Sequence, residues 1–205
     1  MSKTYILLLL IIALYLFVFL SNYLLISDNL YFSSLGEQLS YEQIEKLLQQ
    51  GKKYEWLGYV LLPVLTLIKL ALIASCLSVG VLLVSNRFAF KQLFGVALVA
   101  EFVFLVPTLL KILWFTFVQT DYDLQDLQYF YPLSALNFFE AKSLQTWWLY
   151  PLQTFNVFEI IYWVLLIQGV EKIFPTAGLS AWVSYGTGLV LWMAVIMFVS
   201  VSFSA

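Results

Sequence analysis

Apolar residues run in long stretches along this chain, separated by a few polar islands. Residues 5–26 form the first stretch, behind Lys3, and residues 56–84, 91–118, 152–174 and 181–203 form four more. Each can supply the roughly 20 residues a helix needs to cross a bilayer. None shows the period-two alternation of a barrel strand. The pattern predicts an all-α, polytopic transmembrane helical bundle. It forms one integral membrane domain over residues 1–205, with five spans. A cleaved leader is the rival reading of 5–26. Its apolar core would be about 7–15 residues long and end in small residues. The run here is longer and meets Ser21-Asn22-Tyr23, so we read an uncleaved first span.

The two polar stretches, 27–55 and 119–151, read as outer loops. The first carries a helix signal over 41–50. Ser40 with Gln43 makes a capping-box pattern, and Tyr41, Ile44, Leu47 and Leu48 share one face. Glu42 and Lys46 pair on another face, and Gly51 is a stop signal. A short amphipathic helix of this kind is expected to lie on the bilayer surface. The second stretch starts acidic, with Asp121, Asp123 and Asp126, and turns aromatic. Trp147, Trp148 and Tyr150 are expected to anchor it at headgroup depth.

Within this second stretch one pattern occurs twice. Tyr131-Pro132-Leu133 is followed by Asn137, Phe139 and Glu140; Tyr150-Pro151-Leu152 is followed at the same offsets by Asn156, Phe158 and Glu159. Pro suits a first helical turn, and the Asn and Glu then share a face. The first copy predicts a second short interfacial helix over 132–140, and the second copy opens the fourth span. Asn137 and Asn156 are each expected to bond a backbone group, because an amide left unpaired near lipid costs about 1–3 kcal/mol. Two readings follow. Either both copies only mark helix starts, or their Asn–Glu faces converge on one polar site for a lipid headgroup or a partner chain.

Composition narrows the chemistry. Charged residues make up 11% of the chain, against roughly 25% in globular proteins. The net charge of −2 gives no nucleic-acid footprint. There is no His, which removes the commonest general base and zinc ligand. Cys76 is the single cysteine and reads as a small hydrophobe within the second span. No zincin, nucleophile-elbow or phosphate-loop motif is present. The expectation is no enzyme activity, no catalytic residue, no metal and no cofactor.

Four ionisable residues fall inside the spans: Lys69, Glu101, Lys111 and Glu159. Each costs about 2.5–3.5 kcal/mol at a helix centre. Glu101 and Lys111 stand about 15 Å apart on one helix axis, so each needs a partner elsewhere. Charge balance predicts the pairs Lys69–Glu101 and Lys111–Glu159. Structural pairing, a polar pathway for an ion or solute, and snorkelling to an interface are the competing readings. Small residues at four-residue spacing, Ala71/Ser75, Ala74/Ser78 and Ser184/Gly188, allow close helix packing. Lys3, Arg87, Lys91 and Lys172 sit on short links at span ends, while Lys46, Lys52, Lys53 and Lys142 lie in the long loops. That placement predicts the N-terminus inside and the C-terminus outside.

The Lys-Gln-Leu-Phe opening of the third span (91–94) and the two Pro-Leu-x-x-x-Asn-x-Phe starts (132–139 and 151–158), with Tyr162-Trp163 after the second, resemble the bacterial branch of the Yip-like five-span membrane proteins. The resemblance covers roughly residues 57–204. It departs in the absence of His, of a soluble N-terminal domain, and in the doubled motif. It implies a non-enzymatic inner-membrane protein with trafficking or scaffolding associations. The expected function is an accessory or scaffold subunit with protein partners in the membrane or on its outer face. A small permease moving an ion or solute past the buried Lys and Glu residues is the alternative.

Overall fold

The computed structural model describes residues 2–204; the side chains of Lys142, Phe203 and Ser204 lie outside the description. In chain order the helices are α1 Lys3–Leu25, α2 Asp28–Leu35, α3 Tyr41–Ser85, α4 Phe90–Ala100, α5 Leu105–Phe117, α6 Leu124–Tyr129, α7 Thr146–Thr154, α8 Val157–Glu171 and α9 Gly178–Ser204. Single 3₁₀ turns occupy Glu101–Phe104, Ala135–Phe138 and Ala141–Ser143. Among the described residues there is no β-strand, only an isolated antiparallel bridge between Ser134 and Asn156. Four helical runs are long and apolar enough to cross a membrane: Lys3–Leu25, Tyr41–Ser85, Phe90–Phe117 and the α9 run. The chain therefore has the architecture of an all-α membrane protein.

The seam between α3 and α9 organises the bundle. It is lined by small residues, as the four-residue spacing predicts. A Cβ on Gly80 would lie 2.5 Å from the Ala181 Cα, and one on Gly188 would lie 2.7 Å from the Cys76 Sγ. The Ser184 hydroxyl donates to the Cys76 carbonyl at 2.6 Å. Such contacts hold helices together in lipid, where burying apolar surface gains little. The hydroxyls of Ser75, Ser78 and Ser85 return to the carbonyls four residues earlier on α3, so no polar atom of theirs needs a partner outside the helix. Asn86 ends α3 in the left-handed region (φ 51°), a conformation Asn tolerates better than most residues. The chain then turns directly into α4.

The structure corrects the expected short helix at 41–50. Gln43 does cap as the pattern predicts, its side chain accepting from the Ser40 N–H at 2.9 Å. Gly51, however, does not take the left-handed backbone of a stop, and α3 continues through it for 45 residues. One helical glycine costs only about 1 kcal/mol. Ending the helix at the membrane edge would orphan four carbonyls. Pro63 also stays inside α3. Its missing N–H frees the carbonyl of Tyr59, four residues back, and the Tyr15 hydroxyl of α1 donates to that carbonyl at 2.6 Å. The short α2 was not anticipated. It starts at Ser27, whose hydroxyl accepts from the Leu30 N–H at 3.2 Å, and packs on α3 through Phe32 stacked on Tyr41.

The fourth expected span, 152–174, is not one helix. It is α7 followed by α8, broken at Phe155–Asn156. At 15 residues, α8 is about 22 Å long, short of the roughly 30 Å hydrocarbon core. Both halves pack along α9. Pro151 lies in the second turn of α7 rather than opening the span. The expected interfacial helix at 132–140 is likewise absent and only the 3₁₀ turn Ala135–Phe138 forms. The reason is that its backbone is used elsewhere. The Ala135 N–H donates to the Phe155 carbonyl at 2.8 Å, and the Val157 N–H donates to the Leu133 carbonyl at 3.2 Å. Leu133 adopts a left-handed backbone (φ 58°) to make that turn, uncommon for a residue with a Cβ.

Candidate functional site

The third helical run is interrupted too. The Pro107 ring would collide with the carbonyl of residue 103 in a regular α-helix, and the chain tightens into the 3₁₀ turn Glu101–Phe104. Glu101 opens this turn, so its carboxylate leaves the axis at the interruption. Lys69 on unbroken α3 meets it, with Nζ 2.6 Å from Oε1. The same ammonium lies 4.2 Å from the Phe104 ring centroid and 6.0 Å from that of Tyr162. Phe104 and Tyr162 pack together at 4.9 Å. The expected Lys69–Glu101 pair is therefore present, buttressed by two aromatic faces.

The second interruption positions Glu159. Asn156 is the N-cap of α8. Its Oδ1 accepts from the Glu159 N–H at 2.8 Å, and its Nδ2 donates to the Gln153 and Thr154 carbonyls at 2.8 and 3.1 Å. One amide thus closes the end of α7 and the start of α8, and the expectation for Asn156 holds. Glu159, in the first turn, favours the positive end of the helix dipole. Its Oε1 accepts from both the Trp163 indole N–H and the Tyr185 hydroxyl, each at 2.8 Å. Trp163 and Tyr185 then pack edge to face at 5.6 Å.

Lys111 does not pair with Glu159. It donates to the Leu127 carbonyl of α6 at 2.5 Å. The last carbonyls of a helix lack internal partners and attract a cation, so Lys111 serves α6 rather than a carboxylate. Around it lies a second apolar cluster of Leu25, Leu30, Ile112, Phe115 and Leu127. The acidic start of the loop is structured there. The Asp126 N–H bonds the Asp123 side chain at 2.6 Å and the Asp123 N–H bonds Asp126 at 3.1 Å. The Tyr122 hydroxyl donates to the Leu25 carbonyl at 3.0 Å; burial pushes its pKa up, which keeps the donor proton in place.

The predicted site residues therefore separate. Lys69 and Glu101 meet at one interruption, and Asn156 and Glu159 at the other. Lys111 stands apart. Asn137 and Glu140 are exposed; Glu159 is half-buried against Tyr185, so the two glutamates occupy different surroundings. The two motif copies do meet, but through the backbone bridge at Ser134 and Asn156. Trp147 stacks on Trp148 at 4.6 Å. Tyr150 accepts from the Trp192 indole of α9 at 2.9 Å.

Sequence reasoning missed Tyr162 and Tyr185. Tyr162 is completely buried, and neither its hydroxyl nor the Glu101 Oε2 has a hydrogen-bond partner. A Tyr three residues after Glu159, on the same helix face, was the available signal. No group of three His, Cys, Asp or Glu able to hold a metal occurs among the described residues. Set against models of known families, characterised proteins and solved structures, the chain matches none.

Proposed function

We propose that this chain is a non-enzymatic scaffold or accessory subunit of a complex in a bacterial inner membrane. In this reading it crosses the bilayer five times, with α7 and α8 forming one broken fourth crossing. The N-terminus lies inside, because Lys3, Arg87, Lys91 and Lys172 crowd one end of the bundle. The motifs at 91–94, 132–139 and 151–163 favour a Yip-like membrane family. The observation that carries the reading is the asymmetry of the Lys69–Glu101 pair. The Glu101 side chain is 8% exposed and that of Lys69 is 47% exposed. Lys69 stands about 20 Å along the axis from Trp56 and about 24 Å from Ser85, deep within the apolar part of α3. Half of the Lys69 side chain is thus left uncovered at a depth where charged residues normally face protein rather than lipid, and a neighbouring subunit's helix would cover it.

Purification in mild detergent tests this. The expected result is a membrane protein co-purifying in fixed ratio, lost on Lys69→Met while helix content and melting are retained. A solitary native chain would sink the scaffold reading. The alternative, a small permease, draws on the carboxylates at two helix interruptions, a layout used by transporters, and on the unpaired Tyr162 hydroxyl. Solute uptake into liposomes by the purified chain, abolished by Glu101→Gln, would establish it.

A further inference from the structure

A different region of the bundle concentrates unpaired cations. At the Lys3 end a cavity of 510 Å³ lies between α1, α4 and α8, a size typical of ligand sites, which run to roughly 300–1,000 Å³. Lys3, Gln92, Gln168 and Lys172 line its polar part. Ile6, Val99 and Leu165 line the wall that leads to Ala100, about 12 Å further along α4. A second cavity of 510 Å³ adjoins it, sharing Gln92 and Ile173, and adds Arg87 and Lys91. No Asp or Glu lines either one. The nearby acid, Glu171, turns its carboxylate against Gly178 instead.

The cations here are held but not neutralised. The ion pairs among the described residues are Lys52–Asp28 and Lys69–Glu101, and none of these four cations enters one. Lys3 is fixed by donating to the Lys91 carbonyl. Its side chain lies over Gly95, where a Cβ would come 2.8 Å from the Lys3 Cε. An ammonium has three N–H donors, so two stay available to a ligand. The site thus presents charge-assisted donors and two amide side chains beside an apolar wall running into the depth of the bundle.

We propose that this groove binds an anionic phospholipid, with its phosphate held by Lys3 and Lys172 and an acyl chain along Ile6, Val99 and Leu165. Clustered cations between helices at one membrane face suit anionic headgroups. A free phosphate would use the same donors and leave the apolar wall bare. A zwitterionic lipid would cover the wall but bring its own cation to a region already positive. The proposal rests on the membrane architecture alone and is independent of the scaffold reading.

Native mass spectrometry of the full chain in a neutral detergent, titrated with phosphatidylglycerol and separately with phosphatidylcholine, tests it. Phosphatidylglycerol is expected to bind in one-to-one complexes and phosphatidylcholine to bind at least tenfold more weakly. The double variant Lys3→Gln with Lys172→Gln is expected to weaken phosphatidylglycerol about thirtyfold. Lys52→Gln with Lys53→Gln, at the far end of α3, is expected to leave it unchanged, and each variant's melting without lipid reports its folding. Leu165→Trp, which fills the apolar wall and keeps every cation, is expected to reduce lipid binding as well. Equal binding of the two lipids, an unaffected Lys3/Lys172 variant, or equal losses from the Lys52/Lys53 variant would overturn the proposal. Displacement of the lipid by millimolar inorganic phosphate would instead assign the site to a soluble phosphate.

Discussion

The α3–α9 seam and the α4–α5/α7–α8 half of the bundle solve the same problem in opposite ways. Along the seam both helices are continuous, and the interface consists of Gly80, Gly188, Cys76, Ala181 and a few serines bonded to carbonyls. In the other half both helical runs are interrupted, at Glu101–Phe104 and at Phe155–Asn156. There the chain must bring in outside donors and acceptors, because lipid supplies none. The extended segment around Ser134 and the Asn156 side chain do this at one interruption. Continuity permits close approach with little chemistry, whereas interruption concentrates polar groups. That is why Glu101 and Glu159 both sit beside breaks, with Lys69 of the seam helix paired to Glu101.

This contrast can be broken at its tightest point. Gly80→Val adds atoms where the nearest neighbours are the backbone of Ser180 and Ala181, which cannot rotate away. It is expected to cost about 3 kcal/mol, read as a lowered melting temperature in detergent, while Gly58→Val on open α3 surface is expected to cost under about 1 kcal/mol. Equal melting of the two would mean that the seam is not close-packed. At the interrupted half, Asn156→Leu removes the α8 cap and both α7 bonds, an expected loss of about 2 kcal/mol. Asn156→Ser, which keeps a capping oxygen, should recover part of it. No difference between Leu and Ser would show that the break is held by the backbone bonds around Ser134 alone.

The smallest effect sharpens the comparison most. Tyr15→Phe is expected to cost about 1 kcal/mol, because the Tyr59 carbonyl freed by Pro63 loses its donor. In a Pro63→Ala background that carbonyl regains a helical partner, and the Tyr15→Phe cost is expected to shrink towards zero. Additive losses across this cycle, measured by denaturation in mixed micelles, would show that Tyr15 contributes by packing rather than by serving the gap.

The continuous half was largely legible in the sequence. Long apolar runs located α1, α3 and α9 to within a few residues apart from the N-terminal extension of α3, and small-residue spacing located the seam. Charge balance found Lys69–Glu101. The interrupted half was legible only in its ingredients. Pro and Asn at fixed offsets marked positions 132–140 and 151–159 as special. Whether a Pro starts a helix, as expected, or sits in the second turn of α7 depends on which backbone lies alongside. The segment 133–135 supplies the bonds that make the break tolerable, and that pairing spans more sequence than any local pattern reads. Lys111 misled for a related reason: a carbonyl at a helix end carries no signature in composition, so the nearest opposite charge looked like the better partner.

The length of α3 has a mechanical meaning. A 45-residue helix is about 67 Å long, more than twice the roughly 30 Å of hydrocarbon. No ordinary tilt can hide it, so its first turns stand clear of the lipid as a post, braced near the foot of α2 by Lys52 on Asp28 at 2.9 Å. A helix without a hinge carries twist and thrust along its whole length, and neither Gly51 nor Pro63 divides this one. Residues 41–55 therefore share one helix with Lys69, whose ammonium reaches the Glu101 turn. Lengthening the post by an alanine turn would raise its tip by about 5 Å and leave the register of everything below it unchanged.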